Sequence, residues 1–302
     1  MSGFGELDLV NAMMERVDLD AGVPRSAVLR DVSIGDVTLA IADMPATGAE
    51  RGVALLIPGF TSSRGTFFPM FQMLADQGFR VISFSQRGQP GSTGGDAPAD
   101  YALEALGADV HRLADSLGLN ANLHLLGHSF GGVVGIEAVL QNPSRFASYT
   151  MWNSGPSSLG AEMLEARAAV EEHGARALWV IDATKVGMDP ERDLRGELEG
   201  LEAYHYTRLM RTNPAQLQAG LGHLFEHRDR ALELKATGVP MLVSHGANDD
   251  AWPIVDQRAF AETLGADYWV VANAGHSAHA DRPATSAGLL ATFWSTAQVN
   301  SK

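Results

Sequence analysis

Gly127-His128-Ser129-Phe130-Gly131 decides how this chain is read. Ahead of it runs Asn122-Leu123-His124-Leu125-Leu126, with the length and apolar content of a short buried strand. Behind it runs Gly132-Val133-Val134-Gly135-Ile136-Glu137-Ala138-Val139-Leu140, a helix pattern stopped by Pro143. Gly-x-Ser-x-Gly between a strand and a helix is a nucleophile-elbow pattern, because a sharp turn there lifts the serine out of the sheet. Such a turn strains the serine's backbone and crowds the positions two residues away on each side, so Gly127 and Gly131 are the residue type it requires. A helix beginning at Phe130 would aim free N–H groups at charge forming beside Ser129. The competing readings are a serine in an ordinary glycine-rich turn and a phosphate-binding loop; the stretch has neither a Gly-Lys-Ser/Thr ending nor Gly-x-Gly-x-x-Gly.

Outward from the elbow, strand-like and helix-like segments alternate. Val53–Ile57, Arg80–Phe84 and Ser148–Trp152 read as strands; Thr66–Asp76 and Tyr101–Leu117 read as helices. After Val239–Ser244 come a helix near Ile254–Leu264, the strand Tyr268–Val271 and a last helix, Pro283–Gln298. This rhythm predicts an α/β fold with a mostly parallel sheet covered by helices on both faces. Val28–Ile34 and Val37–Ile41 flank Gly35-Asp36 and predict an antiparallel hairpin. A first helix is expected within Gly5–Leu19, packed on the core. The alternation stops between Ser157 and Lys235, where helix-like runs at Ala161–Glu172, Leu194–Met210 and Pro214–Phe225 predict a helical insertion; Leu178–Ile181 is its one strand-like stretch. The expected organisation is an N-terminal helical extension (1–25), a core (26–156 and 236–302) and a helical segment (157–235).

The 302 residues suffice for one large domain with an insertion or two small ones, and a formal net charge of −14 argues against nucleic acid and anionic membranes as partners. With no cysteine, disulfide and thiolate chemistry are excluded. The first ten residues carry Glu6 and Asp8 and lack a basic start before an apolar run, so no signal peptide is expected. No stretch approaches the roughly 18 apolar residues of a membrane span, and a cytoplasmic location is the default.

A neutral serine needs a base within hydrogen-bond reach and a carboxylate to orient that base. In parallel sheets such groups sit on loops at the carboxyl ends of strands. After the strand ending at Ser244 comes His245-Gly246-Ala247-Asn248-Asp249-Asp250-Ala251-Trp252-Pro253; after Val271 comes Ala272-Asn273-Ala274-Gly275-His276-Ser277-Ala278-His279. Of 10 histidines, His276 stands apart by its place behind the final strand. His279 reads as a surface neighbour and His128 as a packing residue beneath the sheet edge; His111, His173, His205, His223 and His227 fall on expected helices.

Gly127-His128-Ser129-Phe130-Gly131-Gly132, Gly246-x-x-Asp249-x-x-x-Pro253 and Gly275-His276 together resemble the α/β-hydrolase superfamily, in its serine esterase-like branch with a helical cap, over nearly all the chain after residue 26. The resemblance implies Ser129 as nucleophile, Asp249 as acid, His276 as base, and backbone N–H groups of Phe60 and Phe130 as the oxyanion hole. It also implies a helical cap at 157–235 and hydrolysis of a carboxylic ester or lactone with no metal or organic cofactor. Two loops depart from the family pattern: Pro58-Gly59-Phe60 stands where His-Gly is frequent, and Ser85-Gln86-Arg87-Gly88-Gln89-Pro90-Gly91-Ser92 where Asp-x-Arg-Gly-x-Gly-x-Ser is frequent. Phe60, Trp152, Met188 and Trp252 are the candidate substrate contacts; Met163, Trp179, Tyr204, Tyr206 and Met210 are further cap residues that either line a pocket or form the cap's own core. A carbon–carbon bond hydrolase, thioesterase, amidase, perhydrolase or slow small-ligand receptor remains an alternative on the same fold.

Overall fold

The hairpin around Gly35 forms as read. In a computed structural model describing residues 6–119 and 122–300, Ser33 pairs with Thr38 across the turn and Gly35 takes a φ of 97°. In chain order the elements are α1 (Glu6–Glu15), β1 (Val28–Ser33), β2 (Thr38–Met44), β3 (Gly52–Ile57), α2 (Phe68–Asp76), β4 (Phe79–Phe84), α3 (Leu103–Ser116), β5 (Leu123–His128), α4 (Phe130–Gln141) and β6 (Phe146–Trp152). Then follow α5 (Glu162–His173), α6 (Arg176–Lys185), α7 (Gly200–Met210), α8 (Pro214–Glu226), α9 (Ala231–Ala236), β7 (Met241–Gly246), α10 (Ile254–Leu264), β8 (Asp267–Val271), α11 (Ala278–Asp281) and α12 (Pro283–Asn300). Gly5, where the first helix was expected to begin, lies outside the described residues.

The strands form one sheet in the order β1-β2-β4-β3-β5-β6-β7-β8. β1, β2 and β4 pair antiparallel; every pairing from β4 onward through β3 to β8 is parallel. From β3 the chain runs first to β4 on one side and then to β5 on the other. The crevice outside the carboxyl ends of β3 and β5 is therefore a topological switch point, where open α/β sheets bind ligands.

Both sheet faces are covered, as the inner strands β2–β7, buried over most or all of their length, require. On one face Val110 and Leu113 of α3, Val133 and Ile136 of α4 and Phe260 of α10 pack on Leu55, Leu125 and Val243. On the other, Phe71 and Leu74 of α2 and Leu290 and Trp294 of α12 pack on Leu56, Leu126 and Leu242. No helix among the described residues is long and apolar enough to cross a membrane.

The helical segment departs from its expected form in three places. Leu178–Ile181 lies inside α6: four apolar residues in a row carry no period, and Trp179 settles into the helical cluster with its Nε1 donating to Pro190 O at 2.8 Å. The helix read from Leu194 begins only at Gly200. α9 packs with the core, where Leu234 joins the α4–α10 cluster and Arg230 pairs with Glu137 of α4 at 2.6 Å, whereas α5–α8 share a cluster of their own, with Leu224 of α8 reaching the core. α1 also differs from expectation. Its Val10 and Met13 are buried with Tyr206, Leu209 and Leu217, so it packs on the helical segment rather than on the sheet.

Candidate active site

Ser129 closes β5 with φ 55° and ψ −124°, a strained conformation for a side chain with a Cβ. Both flanking glycines are required by close approach. A Cβ on Gly127 would strike the Gly131 carbonyl oxygen, and one on Gly131 would strike the carbonyl oxygen of Ile57 and come 2.6 Å from that of Pro58.

The loops after β7 and β8 converge on this serine. His276 Nε2 lies 3.0 Å from Ser129 Oγ, and His276 Nδ1 donates to Asp249 Oδ1 at 2.9 Å. With Nδ1 carrying the proton, Nε2 of the neutral ring accepts from the serine hydroxyl. Asp249 is buried while Asp250 is exposed. Burial alone would raise the Asp249 pKa; hydrogen bonds from His276, Ala251 N–H and Asn153 outweigh it and hold the carboxyl below its ordinary range. Asn153 Nδ2 reaches both Asp249 Oδ2 and Gly275 O at 3.0 Å, tying the two loops together from the end of β6.

Two backbone N–H groups face the same region. The Phe130 N–H opens α4 and has no intrahelical acceptor. The Pro58–Phe60 loop lies so close that a Cβ on Gly59 would sit 3.1 Å from Ser129 Cβ. Gln86 Nε2 donates to Pro58 O and Gln89 Nε2 to Gly59 O, both at 2.8 Å. These amides take up the loop's carbonyls, and among the described residues the Phe60 N–H has no acceptor. Gln86 and Gln89 were not singled out from sequence; their place in the loop that departs from the family pattern was the available signal. That loop is fixed in turn by Arg87, whose guanidinium makes a buried two-bond pair with Asp109 at 2.6 and 2.7 Å.

His279 corrects the sequence reading, for it is buried, not superficial. Its ring centroid lies 4.5 Å from that of His128, and its Nε2 lies 3.3 Å from Thr66 Oγ1. His128 packs as expected and adds a bond, donating from Nε2 to the His276 carbonyl at 2.9 Å. Burial keeps both rings neutral, lowering the His128 pKa well below its ordinary value and that of His279 to about 3. His227 also departs from expectation, lying just past α8 rather than within it.

Of the expected substrate contacts, Phe60 is half-buried and meets Phe130 edge-on at 6.3 Å. Trp152 is fully enclosed in the cluster formed with α2 and α12, so it fills the core where a pocket wall was expected. Trp252 is buried with its ring 6.3 Å from His276 and its Nε1 bound to Ser157 O at 3.0 Å. Met188 packs against the core of the helical segment.

Residues 53–283 match the α/β hydrolase fold family. The RutD protein of Agrobacterium fabrum, named as a carbamate hydrolase, is 27% identical over 227 residues, covering 72% of this chain and 83% of its own. The 3-oxoadipate enol-lactonase 1 of Acinetobacter baylyi is 26% identical over 241 residues, covering 78% and 86%. Among solved structures, a thermophilic esterase from Thermogutta terrifontis superposes with a TM-score of 0.71 over 90% of this chain and 99% of its own, at 23% identity. With a strand–serine–helix elbow at the switch point of a mostly parallel sheet and a family match over most of its length, this chain belongs to the α/β hydrolases.

Proposed function

We propose that this protein hydrolyses a carboxylic ester or lactone of a small, largely apolar substrate through an acyl-serine intermediate. The observation that carries the reading is the hydrogen-bond chain from Ser129 Oγ through His276 to Asp249, at 3.0 and 2.9 Å. Ser129 Oγ attacks the carbonyl carbon as His276 Nε2 takes its proton, and Asp249 stabilises the imidazolium. The N–H groups of Phe60 and Phe130 receive the developing oxyanion. The intermediate collapses, and His276 returns the proton to the departing alkoxide. Water then attacks the acyl-serine, giving its proton to His276, and Ser129 leaves with that proton as the acid is released. Helices α5–α8 act as the cap: Phe60 packs against Gly220 of α8, and His223 of α8 stacks on Phe130 at 6.2 Å.

The relationship to an enol-lactonase supports the lactone half of this reading. A carbamate is a second reading, favoured by the RutD relatives; there the same serine would be carbamoylated. The test is covalent capture by a fluorophosphonate with mass mapping, run beside an ester, lactone and carbamate panel on wild type and Ser129→Ala. An adduct on Ser129 and turnover lost in the variant are expected. Capture elsewhere, or no capture by folded protein, removes the nucleophile assignment; capture with no turnover on any acyl substrate favours a ligand-binding role.

A further inference from the structure

The helical segment holds a cation that the mechanism above does not use. Arg208, on α7, has no carboxylate within ion-pair distance among the described residues. This sets it apart from Arg64, Arg80, Arg87, Arg176 and Arg230, each closed by an acid within 2.7 Å. Arg208 donates from Nη2 to His205 Nδ1 at 3.1 Å and lies over the Tyr204 ring at 5.4 Å, while its Nε is enclosed without an acceptor. A guanidinium taken partly out of water without a counter-charge carries a desolvation cost, which the His205 hydrogen bond and the Tyr204 phenol offset only in part.

Its surroundings lead to the nucleophile. Tyr204, one turn earlier on the same helix face, brings its hydroxyl 3.3 Å from where a Cβ on Gly65 would stand. That puts this face of α7 over the turn that follows the Pro58–Phe60 loop. Phe67, in the same turn, has its ring against His279 at 5.1 Å and His128 at 6.4 Å, and His128 adjoins Ser129. The charge of Arg208 also acts on both histidines, adding to the depression of their pKa values.

We propose that Arg208 anchors a carboxylate carried by the substrate, so that the ester or lactone has an apolar body and one negative charge. A planar fork fits a carboxylate through two N–H bonds, and one guanidinium without a carboxylate partner matches a single charge rather than a phosphate dianion. This deepens the ester-or-lactone reading and rests on it.

The test uses chain-matched pairs: 4-nitrophenyl monoesters of succinate, glutarate and adipate against their neutral alkanoate counterparts. At one chain length wild type should prefer the charged ester in kcat/KM, and Arg208→Gln should lower that preference by about 10- to 100-fold. Arg208→Lys, which keeps the charge without the fork, should retain part of it. Thermal melts separate binding from folding: an unpaired cation is expected to leave the Arg208→Gln protein as stable as wild type or more so. No preference at any length, an unchanged preference in Arg208→Gln, or a large fall in its melting temperature with preference intact in Arg208→Lys overturns the assignment. A binding arm keeps the proposal independent of turnover. Free glutarate or adipate should raise the melting temperature of Ser129→Ala but not of Ser129→Ala/Arg208→Gln. If that holds while no ester is cleaved, the hydrolase reading fails and the anchor stands; if esters are cleaved and neither acid shifts Ser129→Ala, the anchor fails and the hydrolase reading stands.

Discussion

Replacing Asp249 with asparagine tests the candidate site at its most constrained point. The carboxylate receives four donors: His276 Nδ1 at 2.9 Å and Ala251 N–H at 3.1 Å on Oδ1, Asn153 Nδ2 at 3.0 Å and Gln257 Nε2 at 3.4 Å on Oδ2. An amide offers one oxygen and one NH2 group. With its oxygen in the Oδ1 position it still accepts from His276 and Ala251, but its NH2 faces two donors and Asn153 must turn, giving up Gly275 O. With the amide reversed, an NH2 confronts the His276 Nδ1–H and drives the ring to the tautomer whose Nε2 cannot accept from Ser129. Either way the negative charge that would stabilise an imidazolium at His276 is gone. We expect turnover to fall by about 10²- to 10⁴-fold, roughly 3 to 5.5 kcal/mol of barrier, the upper figure being that of a lost orienting acid in serine proteases. Asp250→Asn, at an exposed position, should change turnover far less. The assay is kcat on an activated ester for both variants, beside thermal melts so that lost stability is not read as lost chemistry. If Asp249→Asn turns over near wild type while Asp250→Asn is crippled, the acid is the neighbour; if neither matters, the acid lies on another loop.

Gly131→Ala places a Cβ against the Ile57 and Pro58 carbonyl oxygens and should cost at least about 2 kcal/mol in urea denaturation; wild-type stability would show that the elbow relaxes freely. Met188→Ala and Tyr204→Ala should shift preference among bulky substrates more than they slow a small activated ester, and equal loss on all substrates would remove these residues from selectivity. Buried His124 and His279 have pKa values lowered to about 3, so the unfolded chain takes up their protons first and stability falls as pH drops below about 6.5 toward 3. His279→Gln should remove up to about 1.4 kcal/mol per pH unit from that slope, measured by urea melts between pH 6 and 4; an unchanged slope refutes the assignment.

The features legible in the sequence are those fixed by local necessity. The elbow was readable because Gly127 and Gly131 each face a backbone carbonyl that no Cβ can approach, a demand that does not depend on the rest of the fold. The placement of His276 and Asp249 beside Ser129 was readable because a parallel sheet sends its loops to one edge, and both follow the last two strands. Trp152 and His279 were misread because their surroundings come from distant segments. The helices that enclose Trp152, α2 and α12, lie far from it in sequence, and His279 is covered from Phe67 and His128. α6 was ambiguous because a four-residue apolar run fits a strand or a buried helix equally, and the Trp179–Pro190 contact that fixes it is tertiary.

The link between the helical segment and the two candidate oxyanion donors was beyond sequence for the same reason, and it bears most on function. Phe60 and Phe130 would act through their N–H groups, so composition says nothing about their side chains. In the fold those rings meet each other, and each also touches α8: Phe60 at Gly220, where an added Cβ would come within 2.6 Å of the ring, and Phe130 beneath His223. His223 is held from below, its Nε2 donating to Tyr101 O at 2.8 Å. A shift of α8 therefore moves the rings whose backbones would receive the oxyanion, while Gln86 and Gln89 restrain the Pro58–Phe60 loop from the core side. The loop is held between the core and the helical segment, so on the proposed mechanism changes in that segment would alter both which substrate fits and how well the transition state is held.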